Sequence, residues 1–126
     1  MKRLNSRGQT LIALLIFMMV AMMITLAATA VAIINLKAGN SYASGQQALI
    51  NADSGAENAL MRLSRDPAYS GETMTLGSGT ATISVSGTDT RNVVSVGTDK
   101  NASRTITVTA SDTNNQLTVL SWSETP

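Results

Sequence analysis

The chain has 126 residues, with nine Lys/Arg against eight Asp/Glu and neither cysteine nor histidine. A chain that short holds at most one small soluble domain beside a membrane-length segment. The missing residue types remove disulfides, thiolate metal sites, the commonest general base and the commonest metal ligand. Three cations, Lys2, Arg3 and Arg7, sit in the first eight residues, which leaves six cations against eight anions and only four aromatics in all. With no basic patch and few rings for base stacking, nucleic acid is not an expected partner.

Residues 1–8 read as a basic leader ending in Gly8. Residues 11–34 follow with no charge and only Thr25 and Thr29 as polar side chains. As a helix those 24 residues span roughly 36 Å, enough for a hydrocarbon core of about 30 Å. The positive-inside tendency places the leader in the cytoplasm and everything after Ile34 on the exported side. Ala21, Thr25 and Thr29 lie four apart on one face, and Ala28 and Ala32 form a second pair of small residues. Such faces let helix backbones approach in lipid. Met18, Met19, Met22 and Met23 suit irregular apolar contacts or a lipid-facing stripe equally well.

From Asn35 the chain turns polar but keeps helical periodicity. Ala38, Tyr42, Gly45, Leu49, Ala52, Ala56, Ala59 and Leu63 recur three and four apart, which predicts one apolar seam. Asp53 and Glu57 are like charges on adjacent turns, so this helix relies on packing rather than its own ion pairs. Any bend is expected at Gly39-Asn40-Ser41, and Pro67 is expected to stop the helix near Arg65.

Beyond Pro67 the period drops to two. Met74/Leu76, Ala81/Ile83/Val85, Val94/Val96 and Ile106/Val108/Ala110 alternate with hydroxyl residues, and the last strand runs from Gln116 to Trp122. Gly-Ser-Gly, Gly-Thr-Asp-Thr and Asp/Asn-rich stretches between them are turn chemistry. The expected fold is α+β, with a long N-terminal helix and a small antiparallel β-meander. One greasy face of the sheet would cover the helix from about Tyr42 to Leu63 in a ladle-like arrangement. The chain then divides into a leader (1–8), an apolar helix (9–35), an amphipathic helix (36–66) and a sheet domain (67–126).

Arg7-Gly8-Gln9-Thr10-Leu11-Ile12, followed by an apolar run, an amphipathic helix and a small sheet, resembles the type IV pilins and pseudopilins. The resemblance implies a membrane precursor cut after Gly8 by a prepilin peptidase, with Gln9 as the new, methylated amino terminus. A glycine there allows close backbone approach in a tight protease site. It also implies assembly with other pilin-like subunits and a membrane machinery into an extracellular filament, through Thr10, Ala13, Ala21, Thr25, Ala28, Thr29 and Ala32. Two positions depart from the family pattern. Gln9 stands where phenylalanine or methionine is usual, and Ala13 where a glutamate usually pairs with a neighbour's amino terminus. Subunits that lack this glutamate tend to be minor and tip-located, so the resemblance leans that way. The proline often found in the family's membrane helix is absent as well.

No residue pattern points to catalysis: serines lack a histidine to activate them, and the carboxylates are scattered. No cofactor or metal is expected. Asp99-Lys100-Asn101 and Asp112-Thr113-Asn114 carry oxygens a calcium ion uses, but without the charge density of a dedicated loop, so they are read as turns. Asn101-Ala102-Ser103 matches a glycosylation sequon. Trp122 is read as packing at the sheet edge. Two other readings of the apolar run remain. Small-x-small sites at Ala28-Thr29-Ala30 and Ala30-Val31-Ala32 would suit an ordinary signal peptidase releasing a soluble binding domain. An uncleaved single span would present the sheet domain as a membrane adhesin. The mature amino terminus separates the three.

Overall fold

The computed structural model describes residues 6–126. The leader cations Lys2 and Arg3 lie outside the described residues. One helix, α1 (Ser6–Arg65), carries the first half of the chain and is helical through Gly39-Asn40-Ser41. Contacts nevertheless divide the chain into two units between Gly39 and Asn40.

In the first unit the side chains from Arg7 to Gly39 are exposed, the large apolar ones included: Phe17 is 70% exposed and Leu36 68%. Threonine is a poor helix former because its hydroxyl competes for backbone groups. Here both hydroxyls are returned to the helix, Thr25 Oγ1 donating to the Ala21 carbonyl and Thr29 Oγ1 to the Thr25 carbonyl, each at 2.8 Å.

In the second unit α1 is covered on one face by the sheet. The buried helix residues are Ser44, Gly45, Ala48, Asn51, Ala52, Gly55, Ala56, Ala59 and Leu63. The covered stretch therefore starts at Ser44, two residues later than expected; of the expected seam, Ala38 and Tyr42 are exposed, Tyr42 to 71%, and Leu49 is half-buried. Its residues are small because the sheet comes close. At Gly97 a Cβ would strike the Ala48 carbonyl oxygen and the Ala52 nitrogen; at Gly55 it would strike Ser95 Oγ. The helix ends where Pro67 removes a donor: Asp66 N–H bonds the Arg62 carbonyl at 2.8 Å, and Asp66 Oδ1 accepts from Ala68 N–H at 3.0 Å. Arg62 and Arg65 occupy the last turn, the favourable end of the macrodipole for cations.

The sheet has five strands, β1 (Gly71–Leu76), β2 (Gly79–Ser86), β3 (Thr90–Asp99), β4 (Ala102–Thr113) and β5 (Gln116–Thr125), paired antiparallel in sequence order. The turns are short. Asn114 and Asn115 both have positive φ (55° and 64°), the requirement of a type I′ hairpin. The inner face meets α1 in a core of Ala52, Ala56, Ala59 and Leu63 against Ile83, Val93, Ile106 and Val108.

On β3 the inward residues are Val93, Ser95, Gly97 and Asp99. Val94 and Val96, expected to form the apolar alternation, sit on the opposite face. Because side chains alternate strictly, an error of one residue inverts the whole strand. The misleading pattern has a physical origin: β3 lies where α1 approaches closest, so beyond Val93 its inner positions are small or polar, while Val94 and Val96 are displaced outward.

The outer face is built of paired hydroxyls, among them Thr73 opposite Thr82, Thr75 opposite Thr80, Thr80 opposite Thr98 and Thr107 opposite Ser123. The charged strand residues Glu72, Arg91, Asp99, Arg104, Asp112 and Glu124 have the inward register. Polar groups pin the helix to the β1 side of the sheet. Glu72 Oε1 receives Arg62 Nε at 2.8 Å, Asn58 Nδ2 at 3.0 Å and the Tyr69 hydroxyl at 3.1 Å. Burial, then the hydrogen bond to Glu72 and that residue's charge, push the Tyr69 phenol up to about 12, with the Arg62 cation opposing. Arg91 donates to the Gly87 and Pro67 carbonyls at 2.9 and 2.8 Å. Its Nε lies 3.8 Å from Asp112 Oδ2, near enough for charge attraction but too far for a hydrogen bond.

Candidate functional site

The residues singled out for processing and assembly all lie on the first unit of α1. Gly8 and Gln9 fall in the first described turn of α1. No acid stands in that turn, whose charged residue is Arg7. No Cβ contact restricts Gly8: nothing lies within 4 Å of where one would be.

Thr10 and Ala13 are exposed one turn further on; Thr10 already has a partner of its own. Beyond them Ala21, Thr25, Ala28, Thr29 and Ala32 are exposed among Val20, Met22, Ile24, Leu26, Val31 and Ile33, which are 50–68% exposed. The small residues leave shallow places in a surface otherwise made of large side chains. With their hydroxyls spent on the backbone, Thr25 and Thr29 present methyl groups outward and carry no unsatisfied donor into an apolar medium. The helix is long and apolar enough to cross a membrane.

A second feature escaped the sequence reading. In the other unit the turn after β1, the turn after β3 and the helix from Asn40 to Asn51 enclose an open polar cleft of about 560 Å³. Asn51, 2% exposed, donates through Nδ2 to the Thr98 carbonyl at 2.9 Å and accepts from Gln47 Nε2 at 3.2 Å. Asp99, 4% exposed, accepts from Ser78 Oγ at 2.6 Å. Asp99 reads as a turn residue in sequence, yet it is the last inward position of β3. Asn51, a polar residue on the small-residue face of the helix, was the one available signal. Among the described residues no group of three or more Asp/Glu side chains is arranged to hold a metal ion. The two expected turns differ in this respect: Asp112 pairs with Arg91 and Asp99 lines the cleft.

No family model matches the chain, and neither a curated protein nor a solved structure matches it.

Proposed function

We propose that this chain is a structural subunit of a type IV pilus or pseudopilus-like filament, stored in a membrane through the apolar part of α1. The observation that carries the reading is the exposed apolar surface from Leu11 to Leu36, directly after Arg7-Gly8-Gln9. That much apolar area in water would cost roughly tens of kcal/mol. Lipid supplies one covering medium and a bundle of like helices supplies another. Because both are apolar, a subunit passes from membrane to filament without crossing water, and an assembly machinery works against a small free-energy difference. The self-bonded hydroxyls of Thr25 and Thr29 suit either medium.

In this reading the amino-terminal end stays in the cytoplasm, a prepilin peptidase cuts after Gly8, and Gln9 is methylated. Ala21, Thr25, Ala28, Thr29 and Ala32 are the positions where neighbouring helices approach. Ala13 gives a neighbour's amino terminus no carboxylate to pair with, and a shaft position would leave that charge costly in an apolar core. A minor or tip subunit avoids the cost. The pilin-like character of the fold, a long helix partly covered by a small meander, belongs to the same proposal.

The test is mass spectrometry of the mature amino terminus in the native host. Methylated Gln9 is the expected result, and Gly8→Val is expected to leave uncleaved, unassembled precursor in the membrane. A terminus near Ala30 or Ile33 replaces the proposal with ordinary secretion, and an intact Met1 with a plain membrane anchor.

A further inference from the structure

We propose that the cleft between the turns after β1 and β3 and the start of the covered part of α1 binds a neutral saccharide. The inference does not depend on the filament reading, since it concerns the other unit alone. Its anchor is Asp99. A carboxylate can accept about four hydrogen bonds, yet this one is 4% exposed and receives only that of Ser78 Oγ, with no ion pair to it among the described residues. Its unused acceptor capacity is not sealed in the interior: Asp99 lines the open cleft, so a donor that enters there can take it up.

The rest of the lining selects among ligands. A hard cation gathers several carboxylate and carbonyl oxygens; the cleft offers one carboxylate, and a cation, Lys100, also lines it. A phosphate seeks clustered basic groups and would meet Asp99. A flat apolar ligand needs aromatic or aliphatic walls, and Leu76 is the one large apolar residue in the lining. What remains is a mixed set without net charge: Asp99 accepts, Lys100 donates, and Asn40, Gln47 and Ser78 do both. Neighbouring sugar hydroxyls present that mixture, two parallel O–H donors for the carboxylate and oxygens for the amide and ammonium N–H groups. The cleft volume of about 560 Å³ accommodates one or two sugar rings. The rigid part of the site is Asn51, held between Thr98 and Gln47, so the ligand meets prearranged groups rather than ordering them.

The experiment uses the full chain in micelles of a zwitterionic detergent without a sugar head group. The protein is applied to a panel of neutral oligosaccharides of glucose, galactose, mannose, N-acetylglucosamine and N-acetylgalactosamine, with sialylated glycans and calcium as controls. A neutral glycan retained with Kd in the millimolar range or tighter is expected. Asp99→Asn should weaken it roughly tenfold or more, and Gln47→Ala, which removes a lining amide and the bond that steadies Asn51, a few-fold. Unchanged thermal melting verifies that each variant is folded; if Asp99→Asn is not, Gln47→Ala decides. No neutral glycan bound at about 10 mM overturns the proposal. So does retention of charged glycans only, binding of calcium in place of sugar, or affinity unchanged in the folded variants.

Discussion

The two parts of α1 share one helical backbone and are covered in opposite ways. From Leu11 to Ile34 the helix is uncharged, apolar on every side and rich in large side chains, and it is exposed. From Ser44 to Leu63 its buried positions are mostly alanine, glycine and serine, with the sheet against them. The greasier stretch is bare and the more modest one is inside. Hydrophobicity alone therefore does not decide burial. The covered part is buried because small residues let two backbones meet, and the bare part because of its size calls for a medium the chain does not contain.

That contrast makes the effects of substitutions separable. The largest is expected at Gly97, where β3 meets the helix backbone. Gly97→Val has to push the Ala48–Ala52 turn off the sheet, and should cost at least about 3 kcal/mol in urea unfolding of the sheet domain while leaving membrane association unchanged. Met23→Arg reverses the pattern. A cation near the middle of the bare stretch should cost about 2.5–3.5 kcal/mol of insertion, read as loss from the membrane fraction after alkaline extraction, with the domain's unfolding midpoint unmoved. If either variant disturbs the other property, the two parts are coupled more tightly than their coverings imply.

Smaller effects sharpen the picture of the closest approach. Ser95 Oγ is fully buried with no hydrogen-bond partner, beneath Gly55. Ser95→Ala is expected to stabilise the domain by about 1 kcal/mol in thermal unfolding, since it removes a desolvated hydroxyl without opening a sizeable void. The smallest concerns Tyr69, whose phenol is raised from 10.0 to about 12 in the folded chain. The folded state then holds this proton more tightly than the unfolded one. The contribution is complete below pH about 10 and is lost as the pH rises through about 12. Tyr69→Phe should flatten that part of a stability–pH curve, and an unaltered slope would assign it to another group.

Much of this arrangement is legible in the sequence, and the exceptions share a cause. The uncharged run, the periodic helix, the stop at Pro67 and the five alternating strands all follow from repeat patterns, because apolar spacing reports which face is buried. The reading fails where burial is not apolar. Val94 and Val96 look like a core pair, but their strand buries Ser95, Gly97 and Asp99, chosen for size and hydrogen bonding. Tyr42 extends the spacing of the seam but lies beyond the reach of the sheet. The cleft was invisible for the same reason: Asn51 and Asp99 come together only once α1 lies across β3, and neither carries a hydrophobic signal. Of the segment proposed for processing, Gly8 and Gln9 are legible as a motif, whereas their place on the helix itself is a matter of backbone geometry.

The outer face of the sheet has one more consequence. Its strand positions present hydroxyls, amides and two valines, while the charged strand residues have the inward register. Salt attenuates attraction and repulsion between exposed charges over about 10 Å at 0.1 M, but it has little to act on here. Contacts made by that face should be indifferent to ionic strength, in fresh water and in brine alike.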